Sequence, residues 1–169
     1  MQLVSGREAV QRVRNLISEK HQVHHYAVEL TARVIHTLNP TGEVDFGGGE
    51  YIPAQTAPLP AHQKHSQDRY QWWTLMHGAY QVEFNETLEL AEDEIALLEP
   101  HERLLRAGAE HPVQFIRGRV NPLTTLLTVG CARLQIKQNA RISLVRVFRL
   151  ADAPTPAKAK PAKASKKKH

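Results

Sequence analysis

Residues 72–109 read WWTLMHGAYQVEFNETLELAEDEIALLEPHERLLRAGA, and the reading of this stretch decides the fold. Tyr80, Val82 and Phe84 alternate with Gln81 and Glu83, the period-two pattern of a strand with one buried face. Asn85-Glu86-Thr87 interrupts the alternation and Leu88 and Leu90 resume it. A polar turn at Glu92–Glu94 leads to a second apolar strand, Ile95–Leu98, stopped by Pro100. Arg103–Ala107 has helix-forming composition and is closed by Gly108. Trp72 and Trp73 are adjacent in the first strand, so they point to opposite faces. One is expected in the core and the other at an interface.

The same signals continue outward. Residues 26–35 alternate, with Tyr26, Val28, Leu30, Ala32 and Val34 on one face and Glu29, Thr31 and Arg33 on the other. Leu126–Val129, Ala132–Ile136 and Ile142–Leu150 read as further strands, with turns at Asn121-Pro122 and Lys137–Asn139. Both faces of the last strand are mixed, which suits a subunit boundary. Many short strands with frequent turns predict an all-β sandwich or barrel. Ahead of them, Ser5-Gly6-Arg7-Glu8 fits a capping box, and Val10, Val13, Leu16 and Ile17 follow at helical spacing. The pattern predicts a helix over 6–19 with Arg7, Arg12 and Arg14 outward. Residues 53–69 carry three prolines without periodicity and read as a connector. The chain thus divides into an N-terminal helix and linker (1–25), a β domain (26–150) and a tail (151–169).

Composition bounds the function. The chain has 169 residues and a net charge of +5. Residues 151–169 hold six lysines and one aspartate, so the body before Ala151 is neutral and the basicity belongs to the tail. The tail has no large apolar side chain and is expected to be disordered. Lys158, Lys160, Lys163, Lys166, Lys167 and Lys168 could then give DNA or RNA a salt-sensitive, sequence-independent grip. No apolar run is long enough for a membrane helix, and the N-terminus lacks a signal-peptide core. The single cysteine, Cys131, excludes an internal disulfide and reads as a small buried residue. A cytoplasmic setting without membrane contact is the expectation. The histidine pairs His21/His24 and His62/His65 lack a carboxylate or cysteine alongside and read as exposed loop residues.

The order GAYxVxFNE, a turn, a strand, Pro100 and then LLRAGA resembles the dUTPase and dCTP deaminase family, its archaeal-like branch in particular. Landmarks of the resemblance run from Gly42 to Leu150 and include Gly78-Ala79-Tyr80, Phe84-Asn85-Glu86, Gly118 and Asn139-Ala140-Arg141-Ile142. It implies a distorted jelly roll, assembled as a homotrimer with deoxynucleotide sites between subunits. The Gly42-x-x-Asp45 order is similar to an early motif of the family, whose Asp helps hold a hydrated Mg²⁺.

The catalytic places of that resemblance are degenerate. Where the family has Pro followed by the phosphate-gripping Arg-Ser-Ser, this chain has Pro100-His101-Glu102-Arg103. A carboxylate at Glu102 would repel a triphosphate unless Arg103 or Arg106 compensates. Counting back from Gly118 puts Val113 in the place of the family's water-activating Asp and Ile116 in that of its sugar-stacking Tyr. Leu144 stands for the Gln of the later motif. The remaining acid/base candidates are His101, Glu102, Glu110 and His111, and Arg103, Arg106, Arg117 and Arg119 are the anion candidates. This reading predicts a dUTPase-like protein that has lost standard dUTP hydrolysis and works by nucleotide binding or as a scaffold. A diverged dUTP diphosphatase or dCTP deaminase is the alternative, and a nucleic-acid-associated oligomer a third.

Overall fold

The computed structural model describes residues 1–39 and 41–151, so the expected disorder of the tail and its six lysines lie outside the described residues. The strands are β1 (Gln2–Leu3), β2 (Val13–Arg14), β3 (Val28–Leu38), β4 (Thr56–Pro58), β5 (Trp72–Phe84), β6 (Thr87–Glu89), β7 (Glu94–Pro100), β8 (Ala109–Glu110), β9 (Gln114–Ile116), β10 (Arg119–Val120), β11 (Thr124–Lys137) and β12 (Arg141–Arg149). Short helices α1 (Gly6–Ala9), α2 (Glu19–Gln22) and α3 (Glu102–Arg106) join them. The main sheet runs β8-β11-β5-β3-β12-β7-β9, with β1 added to β12 and β4 to β3, and β10-β6-β2 forms a smaller sheet. Its pairings are antiparallel, and the architecture is the jelly-roll-like, all-β one expected.

β5 and β11 form the longest ladder, and its inward residues Trp73, Leu75, Val82, Phe84, Leu127 and Val129 are buried. Leu30 and Ile35 of β3, Leu98 of β7 and Val145 and Val147 of β12 complete the same core. Trp73 is the core tryptophan, as the alternation required, and Trp72 is partly exposed on the opposite face.

Three expectations need correction. The helix over 6–19 is one turn long. Ser5 caps it through a 3.4 Å bond from the Glu8 amide, but Val13 and Arg14 then pair with Leu88 and Thr87. Sheet pairing wins over helical spacing because it buries Val13 and turns Arg12 inward onto Glu94. Gly6 is required here, since a Cβ would meet the His24 carbonyl at 1.8 Å. The alternation of residues 26–35 fails next: Val28 to Ala32 are all buried, Glu29 and Thr31 included. β3 lies between β5 and β12, and the linker histidines and α3 close over its outer face.

Third, the two strands expected over 126–136 are one. Gly130–Ala132 form a bulge opposite His77, between the Val129–Gly78 and Arg133–Met76 pairs, and a bulge bends a ladder without ending it. Gly108 packs against it at φ +87°, where a Cβ would press on the partly exposed Cys131, which was expected to be buried. β12 lies inside the sheet. It pairs with β3 and β7, burying Ser143, Val145 and Val147 inward while Arg146 pairs with Glu99.

Two buried carboxylates hold this frame. Glu86 accepts from Gln22 Nε2 (2.6 Å), the Thr31 amide (2.8 Å) and the Thr31 hydroxyl (2.7 Å), and its burial pushes its pKa above the usual carboxylate range. Glu94 instead receives Arg12 at 2.6–3.1 Å, with Arg149 at 3.5 Å, and the Arg12 hydrogen bonds hold its pKa below that range.

Candidate functional site

The start of α3 and the turn between β11 and β12 meet, with the His101 amide donating to the Ile142 carbonyl at 2.9 Å. Between them opens a cleft of about 570 Å³ lined by Ile17, Tyr70, Trp72, Arg103, Leu104, Lys137, Asn139, Arg141 and their neighbours. The turn is fixed from beneath. Asn139 adopts φ +63°, its amide donates to Ala32 O at 2.9 Å, and its side-chain oxygen accepts from Asn85 at 3.0 Å. Trp72 reaches the cleft because Trp73 takes the core side of β5. Lys64 and Lys137 approach its ring at 3.6 and 5.3 Å from the centroid. Three cationic side chains and two aromatic rings thus line the cleft, and no carboxylate among the described residues does. Such a set suits a planar group joined to an anion.

The residues replacing the phosphate-gripping motif separate by direction. His101 caps α3, its Nδ1 accepting from the Arg103 amide at 3.0 Å, so the ring hydrogen sits on Nε2, 3.1 Å from Glu29. Glu102 turns to solvent and pairs with Arg106 at 2.5 Å, both side chains well exposed. The repulsion expected of Glu102 is therefore absent from the cleft wall, and Arg106, expected as a nucleotide contact, is engaged outside it. Of the four arginines expected to meet an anion, Arg103 lines the cleft.

Glu29 is the site residue that sequence reasoning missed. It is 5% exposed, and its Oε1 meets His24 Nε2 at 3.0 Å and His101 Nε2 at 3.1 Å. Its Oε2 lies 2.7 Å from Arg141 Nη1 without an aligned hydrogen bond, because that Nη1 donates to the His21 carbonyl at 2.8 Å. His24, expected to be an exposed loop histidine, is exposed and also partners this buried carboxylate. The signal available was the charge of Glu29 amid four apolar or small residues of β3.

The other candidates lie elsewhere. His111 is buried: its Nδ1–H donates to Pro112 O at 3.0 Å and its Nε2 accepts from the Ser143 hydroxyl at 2.8 Å. Burial pushes its pKa below the usual histidine value. Glu110 borders the same hollow of about 480 Å³ with Pro112, Val113, Leu126 and Thr128. Val113 is exposed, while Ile116 belongs to the core, so the position assigned to a sugar-stacking Tyr faces the protein interior. Leu144 is half-buried on β12. Gly118, at φ +66°, is a turn glycine whose carbonyl accepts from Leu90, and it does not line the cleft. Arg117 flanks that turn, and Arg119 pairs with Glu89 at 3.6 Å. Asp45 accepts from the Gly48 and Glu50 amides at 2.9 and 3.1 Å, and these bonds, that of Glu50 foremost, hold its pKa below the usual value. No group of three His, Cys, Asp or Glu among the described residues is arranged to hold a metal. Among the described residues of the single chain, no set of side chains fits a protein-built Mg²⁺ site. No helix among the described residues is long and apolar enough to cross a membrane.

The chain is an antiparallel jelly-roll-like sheet with a cation-lined cleft beside α3. No family model matches the chain. Two curated proteins described as probable deoxyuridine 5'-triphosphate nucleotidohydrolases are similar to it, from Methanosarcina acetivorans (28% identical) and Methanosarcina mazei (29%). Each match spans 138 residues, 80% of this chain and 77% of the relative. Among solved structures, the 2'-deoxycytidine 5'-triphosphate deaminase of Agrobacterium tumefaciens superposes with a TM-score of 0.62 at 16% identity. That match covers 86% of this chain and 47% of the deaminase, so the chain spans about half of it. In sequence and fold the chain is dUTPase/dCTP deaminase-like.

Proposed function

We propose that this chain binds a pyrimidine deoxynucleoside triphosphate in the α3–β12 cleft and does not carry out standard dUTP hydrolysis. The observation that supports this best is the cleft itself, where Trp72 and Tyr70 offer faces for a base and Arg103, Lys137 and Arg141 offer charge for phosphates, with Glu29 behind Arg141 and no carboxylate of the described residues in the lining. Arg103 supplies bidentate phosphate contact, and the aromatic faces supply the apolar part of binding. A triphosphate brings its own Mg²⁺, since that ion keeps most of its waters and needs few protein ligands. The reading includes a homotrimer, in which a neighbour completes the cleft, and a cytoplasmic setting.

The relatives named as probable hydrolases favour a second reading, a diverged enzyme using groups from elsewhere on the assembly. One experiment separates the two. The full chain with Mg²⁺ is titrated with dUTP and dCTP by calorimetry, and release of pyrophosphate or ammonia is followed in parallel. Saturable binding, weakened about tenfold or more in Arg103→Ala, with neither product released, is the expected result. Turnover that disappears in Glu110→Gln would establish the enzyme instead. Binding to nucleic acid through the tail lysines is a third possibility, tested by deleting residues 151–169.

A further inference from the structure

We infer that Glu29 is the positioning residue of the cleft: it holds the Arg141 guanidinium in the orientation that meets a nucleotide's phosphates, an inference resting on the nucleotide-binding reading above. A carboxylate buried in a central strand is costly unless it is paired, and here the pairing is unusually directed. Its partners come from three separate segments: His24 from the linker, His101 from the cap of α3, and Arg141 from the start of β12. The last two segments are the walls of the cleft. Glu29 therefore ties the two walls together at their base.

The division of contacts on Arg141 carries the inference. Its Nη1 donates to the His21 carbonyl at 2.8 Å and lies 2.7 Å from the Glu29 carboxylate, whose charge holds it there without an aligned hydrogen bond. Nε and Nη2 take part in no hydrogen bond among the described residues. A guanidinium presents five N–H donors in a rigid fork. Holding one corner fixes the plane and leaves the other edge free to donate to an anion. Free Arg side chains lose rotamer freedom on binding, and a pre-held one has already lost it.

The sign of a charge deletion separates positioning from plain electrostatics. Glu29 is negative and lies behind an anion site, so removing its charge would strengthen triphosphate binding if only the field mattered. If Glu29 orients Arg141, the same deletion weakens it.

The experiment measures dissociation constants of the full chain for dUTP and dUMP, in wild type, Glu29→Gln, Arg141→Ala and the double variant. Wild type is expected to prefer dUTP. Glu29→Gln should weaken dUTP about tenfold while leaving dUMP nearly unchanged, and Arg141→Ala should remove the same preference. In the Arg141→Ala background the Glu29→Gln change should have no further effect on the preference. Tighter dUTP binding in Glu29→Gln, an unchanged preference, or equal losses for both nucleotides would overturn the inference. Should Glu29→Gln not fold, Arg141→Ala decides alone, since Arg141 is partly exposed; a retained preference there overturns the inference. A wild type that binds neither nucleotide defeats the nucleotide-binding reading itself, a result distinct from all of these.

Discussion

Glu29 and Thr31 stand two residues apart on β3, and each leads to a buried carboxylate, yet the two sites are built in opposite ways. Thr31 and Gln22 deliver three neutral donors to Glu86, and no cation among the described residues pairs with it. Glu29 is met by two imidazoles and a guanidinium. The sites touch, because the Gln22 amide that serves Glu86 also donates to the Glu29 backbone carbonyl at 2.9 Å. Sealed from solvent and charge, the Glu86 site locks α2, β3 and the β5–β6 turn together. The Glu29 site opens through Arg141 onto the cleft. The difference teaches that a buried carboxylate points to function only when its partners continue outward to a surface.

The largest effect expected is on the sealed side. Glu86→Ala leaves one Gln22 N–H and both Thr31 donors buried without an acceptor, and should cost about 3–5 kcal/mol in urea unfolding. The folded fraction should keep its preference for dUTP over dUMP; a changed preference would erase the distinction between the two sites. Arg12→Ala comes next. Removing one partner of a buried pair costs about 3–5 kcal/mol, but Arg149 remains 3.5 Å from Glu94, so about 2–3 kcal/mol is expected.

The pH dependence sharpens the same contrast. Glu94 has a lowered folded pKa, so its contribution is present above the ordinary carboxylate value and lost as pH falls through the folded one. Glu86 has a raised folded pKa, so its contribution is full below the ordinary value and lost as pH rises through the folded one. Unfolding free energies between about pH 3 and 8 should lose their acid-side decline in Glu94→Gln and their opposing slope in Glu86→Gln. Slopes of the same sign at both sites would contradict the assignment. The smallest effect is at the exposed Glu102–Arg106 pair: Glu102→Ala should change stability by less than about 0.5 kcal/mol and leave dUTP affinity within about twofold. A marked tightening would place Glu102 against the phosphates after all.

Much of the frame was legible because it rests on local signals. The alternation at Tyr80–Phe84, the stop at Pro100 and the left-handed Gly108 each act within a few residues, and each is found where expected. What was hidden depends on distant chain. Helical spacing over 6–19 gave way to the pairing of Val13 with Leu88, and the outward face of β3 became inward once α3 and the linker covered it. For the site, the family resemblance drew attention to Arg103, which lines the cleft, and equally to Glu102, Arg106 and Gly118, which do not. A residue's number along a motif gives its place on the backbone, not the side to which its side chain turns. The role of Glu29 was hidden for a related reason: its charge on β3 is visible in the sequence, but its partners are remote and only the fold unites them.

The central claim, a nucleotide in the α3–β12 cleft, can be read from the two tryptophans. Trp73 is sealed in the core and Trp72 lines the cleft, so the two indole N–H signals of the ¹⁵N-labelled full chain report on the two faces of β5 separately. They are assigned with Trp72→Phe. On titration with dUTP and Mg²⁺ the Trp72 signal should move and saturate while the Trp73 signal stays in place, and Arg103→Ala should abolish the movement. A Trp72 signal that stays still while dUTP binds, or that moves unchanged in Arg103→Ala, would contradict the account.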